Sequence, residues 1–181
     1  MTNPELVNAV GGGTLPQELQ LSSLYEMLDG EEVRYDPEYW PGLYLRFAVD
    51  SPAVLVFRTG KYNVAGADSL QGLHDANDTF LTCIEELGIN TQNPQFEVRN
   101  LVYLDTYGKE LELDQAVVTL GLENAEYEPE QFPGILYRPP DGIGTFLIFG
   151  NGKVLLTGAA TDEIVDDAFT TLFAALDEAF I

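Results

Sequence analysis

YDPEYWPGLYLR at residues 35–46 and YEPEQFPGILYR at residues 127–138 are one segment written twice, 92 residues apart. Carrying that shift outward aligns the two halves without a gap. Asn8 meets Asn100, Leu19 and Leu21 meet Leu111 and Leu113, and Phe57 meets Phe149. Gly60-Lys61 meets Gly152-Lys153, and Gly66-Ala67 meets Gly158-Ala159. About two dozen positions are identical, so the chain is an internal tandem repeat, residues 1–92 followed by residues 93–181. Two copies are too few for a solenoid. They predict a pseudo-twofold domain instead.

Within each copy the apolar period and the turn chemistry alternate in the same way. A strand (about residues 6–13 and 97–104) precedes a short helix (about 21–29 and 113–121), four strands and a long terminal helix. Pro41-Gly42, Asp50-Ser51-Pro52 and Thr59-Gly60 bound the strands of the first copy; Pro133-Gly134, Asp141-Gly142 and Asn151-Gly152 bound those of the second. Leu70, Leu73, Phe80, Leu81, Ile84 and Leu87 recur at helical spacing. So do Ile164, Val165, Ala168, Phe169, Leu172, Phe173 and Leu176, and both stripes read as core. Asp68 or Ser69 and Thr161 are expected N-caps, with Gly88 as a helix stop. The fold class that follows is α+β: antiparallel half-sheets, each covered by helices on one face and open on the other. Function is expected on the open face, where apolar residues alternate outward.

At 181 residues, with 45% apolar and 11% aromatic content, the chain can bury a core and is not a disordered acidic tail, despite a net charge of -22. Thirty acidic residues face eight basic ones, and Lys61, Lys109 and Lys153 are the only lysines. Such a surface suits a cytoplasm at molar salt, where the Debye length falls to roughly 3 Å. The lone Cys83 excludes a disulfide framework and a cysteine zinc site within one chain. No apolar run reaches 18 residues, and the start shows no leader pattern, so a cytoplasmic protein with no membrane partner is expected.

Catalytic readings find little support. His74 stands alone in a polar helix, the carboxylates are spread rather than paired, and Gly11-Gly12-Gly13 opens no phosphate loop. Neither a metal, a cofactor nor a small-molecule substrate is expected.

The segments 127–138 and 147–159, with their weaker copies at 35–46 and 55–67, resemble the signature of TATA-box-binding proteins, and the resemblance extends over about residues 6–180. It implies a saddle made of a ten-stranded curved antiparallel sheet, with helices on the convex face. It also implies a transcription initiation factor that lies in the minor groove of A·T-rich promoter DNA and bends it by aromatic wedges, as members of this family are known to do. By resemblance the wedges are Trp40 with Phe57 and Phe132 with Phe149; core packing is the alternative reading of these four rings. Asn8 and Asn100 would meet base-edge acceptors, with Val10, Val102, Leu155 and Thr157 on the apolar floor. The repeat-paired cations Arg46, Arg138, Lys61 and Lys153 would meet phosphates, with Arg58 beside the first pair. Glu128 and Glu130 match acidic positions that recruit transcription factor B.

The first copy departs from the family pattern. Asn63 and Ala65 stand where an apolar residue and a threonine are usual, Trp40 replaces a phenylalanine, and the glycine triplet thins the first strand. Gln131 also takes a position that is commonly apolar. The competing function is an acidic regulator that mimics DNA and occupies a basic partner, for which a carboxylate-lined open face would be required.

Overall fold

The computed structural model describes residues 2–159 and 161–179; Met1 and, in the second copy, Ala160, Phe180 and Ile181 lie outside the described residues. The first copy runs β1 (Glu5–Thr14), α1 (Leu21–Met27), β2 (Glu32–Tyr35), β3 (Leu43–Arg46), β4 (Ala53–Val56), β5 (Lys61–Ala67) and α2 (Leu70–Glu86). The second runs β6 (Glu97–Thr106), α3 (Leu113–Leu120), β7 (Ala125–Glu126), β8 (Gly134–Tyr137), β9 (Thr145–Phe149), β10 (Lys153–Ala159) and α4 (Val165–Glu178). Strand, helix, four strands, helix therefore occurs twice, as the turn residues and apolar periods predict.

Two compact units form, Asn8–Arg99 and Met1–Val7 with Asn100–Ile181. Their boundary departs from the repeat boundary at residues 92 and 93 because each leading segment is hydrogen-bonded to the other copy's sequence. The Asn3 amide donates to Asp105 at 2.8 Å, which ties the chain start into the second unit. The Thr14 amide donates to the Pro94 carbonyl at 2.8 Å, which ties the linker into the first. Strand order is β2-β3-β4-β5-β1 in the first unit and β6-β10-β9-β8-β7 in the second, antiparallel throughout each.

Alternation along the strands decides what is buried. Leu43, Leu45, Val54, Val56, Tyr62 and Val64 are fully buried, as are Ile135, Ile148, Val154 and Leu156, while Tyr44, Leu55, Asn63, Leu136, Leu147 and Leu155 between or beside them keep part of their surface. The buried sides face the helices. Tyr62 lies 4.8 Å from Phe80 of α2, and Phe146 stands edge-on to Phe169 of α4 at 5.3 Å. Each unit thus has one helix-covered sheet face and one without helices.

Ser69 caps α2 by accepting from the Gly72 amide at 3.0 Å, as expected from its place before the apolar stripe. At the other end Gly88 adopts φ +84°, and Gly88 and Ile89 donate back to Glu85 and Ile84, closing the helix in a Schellman motif. Thr161 does not cap α4. Residues 162–164 first form a turn, closed by Val165 N–H to the Asp162 carbonyl at 3.3 Å, so Ile164 becomes the N-cap. Ile164 is consequently 48% exposed rather than core, and Asp166 and Asp167 supply the negative charge that a helix N-terminus favours.

The glycine triplet has a packing cause that the sequence does not show. A Cβ on Gly11 would lie 2.4 Å from the Phe96 ring, and one on Gly13 would lie 2.7 Å from the Tyr62 hydroxyl. Behind it, Tyr62 and Asn77 form a buried 2.7 Å hydrogen bond where the second copy has Val154 and Phe169. Burial, and after it the Asp78 carboxylate, push the Tyr62 phenol up from 10.0 to about 12. The unfolded chain therefore loses this proton first on alkaline titration, and stability should fall as pH rises through the window from about 10 to about 12. Denaturant unfolding across that window should show a shallower fall for Tyr62→Phe. At neutral pH the same variant should be less stable by about 1 kcal/mol, the worth of the lost bond.

Candidate nucleic-acid interface

The helix-free face of the first unit is read off the strand register. Arg34, Tyr44, Leu55, Asn63 and Gly12 lie opposite one another on successive strands, and the next row is Glu32, Arg46, Ala53, Ala65 and Val10. In the second unit the row is Glu126, Leu136, Leu147, Leu155 and Leu104, with Thr145 opposite Thr157 beyond it. These rows carry carboxylates only at Glu32 and Glu126, on the outermost strands, and each is ion-paired, to Arg34 and to Arg138 (3.3 Å) respectively. Apolar side chains fill the middle.

An aromatic pair occupies the same place on each face. Strand β4 leads into a tight turn in which the Gly60 amide donates to Phe57, and β9 into one in which Gly152 donates to Phe149. Both phenylalanines are thereby held at the hairpin end. Their partners come from single helical turns: Trp40 N–H donates to the Asp36 carbonyl and Phe132 N–H to Glu128, each at 3.0 Å. Ring centroids lie 5.5 Å apart for Trp40 and Phe57 and 5.7 Å apart for Phe132 and Phe149. The Pro-Gly dipeptides make room for this. A Cβ on Gly42 would lie 2.3 Å from the Trp40 ring, and one on Gly134 would meet both Phe132 and Phe149 at 3.1 Å. Trp40 is 39% exposed, and the other three rings remain half-buried. None belongs to the helix-side core.

Asn8 and Asn100 are oriented by the backbone. Register slips where β1 meets β5 and where β6 meets β10, and Gly66 and Gly158 sit there at φ +93° and +88°. Their freed amides donate to Asn8 Oδ1 at 2.9 Å and Asn100 Oδ1 at 2.8 Å. With the oxygen engaged, each side chain offers its NH2; that of Asn100 reaches Thr157 Oγ1 only at 3.5 Å. Val10 in the first unit, and Val102, Leu155 and Thr157 in the second, are half-buried.

The paired cations differ in surroundings. Lys61 and Lys153 are exposed and have no acidic partner among the described residues. Arg46 is half-buried beside the Tyr44 ring at 5.8 Å, its Nη1 reaching the Val49 carbonyl at 3.4 Å and its Nε buried without a partner. Arg138 is engaged by Glu126, and Arg58 points to Glu18 at 3.4 Å instead of joining the open face. Glu128 and Glu130 are exposed on the loop between β7 and β8. Sequence reasoning missed Tyr44, Leu55, Leu104, Leu136, Leu147 and Arg34; strand alternation counted by twos from Phe57, Phe149 and Val102 places Leu55, Leu147 and Leu104 on this face. Arg99 carried no such signal.

Other chemistry is thinly represented. Burial, then Glu86 and Asp29, push the Cys83 thiol up and away from the reactive thiolate. His74 is an exposed α2 residue with its ring edge-on to Phe96 at 5.7 Å. No helix among the described residues is long and apolar enough to cross a membrane.

Fold and faces together define an α+β protein of two sheet-and-helix copies, each with an apolar, amide-bearing surface ending in an aromatic pair. The profile of transcription factor TFIID, or TATA-binding protein, matches residues 3–87 and again residues 95–179. TATA-box-binding protein C of Halobacterium salinarum is 38% identical over 91% of this chain and 92% of its own length. TATA-box-binding protein 1 of Haloferax volcanii is 36% identical over 98% and 96%. The solved structure of Methanococcus jannaschii TBP superposes with a TM-score of 0.80 at 34% identity, covering 97% of this chain and 99% of that one. The chain belongs to the TATA-binding protein family and has its fold. It is a transcription initiation factor of a DNA-binding, non-enzymatic family with relatives in halophilic archaea.

Proposed function

We propose that the chain binds the minor groove of A·T-rich promoter DNA, bends it with the pairs Trp40–Phe57 and Phe132–Phe149, and recruits transcription factor B. The repeats 1–92 and 93–181 serve as the two halves of one DNA-binding domain acting on the nucleoid. The observation that carries this reading is the recurrence of a half-exposed aromatic pair at the same place on both helix-free faces. Side chains held there can enter a base step, as in minor-groove wedging proteins generally, TATA-binding proteins among them. Asn8 and Asn100 suit the groove, since an amide NH2 donates to the adenine N3 and thymine O2 acceptors that both A·T orientations present. Val10, Val102, Leu155 and Thr157 supply apolar contact, and Arg46, Lys61, Arg138 and Lys153 supply cations for the phosphates. The scarcity of carboxylates in the face rows favours DNA over an acidic mimic of it. Binding in molar potassium chloride tests the reading: an A·T-rich duplex should be held more tightly than a G·C-rich one of equal length, and equal affinity would contradict it.

Glu128 and Glu130 offer exposed charge to a basic partner surface. Replacing both by alanine should weaken the ternary complex with transcription factor B by ~5-fold, the scale of two exposed ion pairs. Binary DNA affinity should stay nearly unchanged in the same gel-shift series. Equal losses in both assays would assign the glutamates to DNA or to the fold.

A further inference from the structure

The 92-residue shift compares the two open faces position by position, and they are not equivalent. Where the second unit presents Leu104, Leu155 and Thr157, the first presents Gly12, Asn63 and Ala65. The space over Gly12 is occupied from elsewhere in the same unit. Arg99 Nη1 and Asn63 Oδ1 each lie 2.7 Å from where a Cβ on Gly12 would sit. Arg99 Nη1 donates to Asn63 Oδ1 at 3.2 Å, and Arg99 Nε stands 3.7 Å from the Glu97 carboxylate. One face therefore has a leucine floor and the other a fixed primary amide. The position equivalent to Arg99 in the other half of the repeat is Val7, which has no charge.

Resting on the minor-groove reading, we infer that Asn63, oriented by Arg99, lets the first copy accept a G·C pair at a step where the second copy excludes it. A·T pairs show only acceptors in the minor groove, whereas a G·C pair adds the guanine N2 amino donor. Leucine over that amino group removes its water and offers no acceptor, which leaves a buried donor unpaired. An amide oxygen has two lone pairs. Arg99 occupies one at Asn63 Oδ1; the other accepts from guanine N2, while Nδ2 donates to the ring acceptor of the same base pair. Gly12 makes the space that Arg99 fills behind Asn63, and Ala65 is smaller than the Thr157 of the second copy. Asn63 is thus the specificity-determining residue, and Arg99 positions it.

The test uses a near-palindromic A·T-rich duplex in molar potassium chloride, because a protein built from two copies of one repeat can bind such a site in either orientation. G·C pairs are placed at each step in turn, in one half or at the symmetry-related steps of both. At one step at least, wild type should tolerate a single G·C pair in either half with under ~3-fold loss, by laying its first copy over it, yet lose ~10-fold when both halves carry one. Asn63→Leu should lose ~10-fold to a single G·C pair already, and Asn63→Ala, which removes the acceptor without adding bulk, should lose as much. A wild type that loses ~10-fold to every single replacement overturns the inference while its A·T preference, and the proposed function, stand. Absence of any A·T preference overturns both. If circular dichroism shows Asn63→Leu unfolded, Asn63→Ala decides alone: a ~10-fold loss to a single G·C pair supports the inference and an unchanged tolerance overturns it.

Discussion

Replacing Phe132 and Phe149 together by alanine is expected to lower affinity for an A·T-rich duplex by ~100-fold or more, since aromatic contact with a base is worth about 1–3 kcal/mol per base. The bend in the bound duplex should be lost as well. Folding should survive, because both rings lie on the helix-free face and keep part of their surface in the free protein. Phe169 provides the contrast. It is fully buried between Phe146 and Phe173, and Phe169→Ala should cost about 3–5 kcal/mol of stability. Thermal unfolding and fluorescence anisotropy on the three proteins separate the cases: a loss of core magnitude for Phe132 or Phe149 would make them packing residues and not wedges.

The second large effect concerns salt. A protein that binds DNA through cations releases counterions, and its affinity falls by roughly 0.9 log units per phosphate contact for each tenfold rise in salt. Here eight basic residues are set against thirty acidic ones, and Arg34, Arg58, Arg99, Lys109 and Arg138 already face carboxylates of the protein itself. At low salt, repulsion between the acidic surface and the phosphates dominates. Molar potassium chloride shortens the Debye length to roughly 3 Å, supplies cations to bridge carboxylate and phosphate, and strengthens apolar contact in the groove. Affinity should therefore rise by ~10-fold or more between about 0.2 and 2 M potassium chloride, opposite in sign to the counterion-release slope. A steady fall across that range would remove the halophilic reading of the composition and the expectation of cation uptake.

Much of the fold can be read from residues because the repeat supplies each element twice. Turn dipeptides and apolar periods that are faint in one copy are reinforced by the other, and Asn151-Gly152 marks the hairpin that Thr59-Gly60 marks less clearly. Both aromatic pairs are likewise visible, since the ring residues recur at a fixed shift beside Pro-Gly and Gly-Lys. What escapes the sequence depends on side chains meeting across long separations. Nothing local ties Phe96 to Gly11 or Arg99 to Gly12, and the glycine triplet therefore reads as a thinned strand when it is space reserved for those two side chains. Thr161 fails as a cap for another reason: a turn intervenes before the buried stripe begins at Val165. Asn8 and Asn100 are recognisable by type, but the backbone amides that orient them come from Gly66 and Gly158, 58 residues further along the chain.

Minor-groove wedging has one direct physical consequence, a shortened distance between the ends of the bound duplex. Energy transfer between dyes at the ends of an A·T-rich duplex, measured in molar potassium chloride as protein is added, reads it. Wild type should raise the transfer on the A·T-rich duplex and leave a G·C-rich one unchanged, and the Phe132→Ala, Phe149→Ala double variant should produce little or no rise at saturating concentration. Tight binding with no change in transfer, or an equal rise with the double variant, would contradict the role assigned to the aromatic pairs.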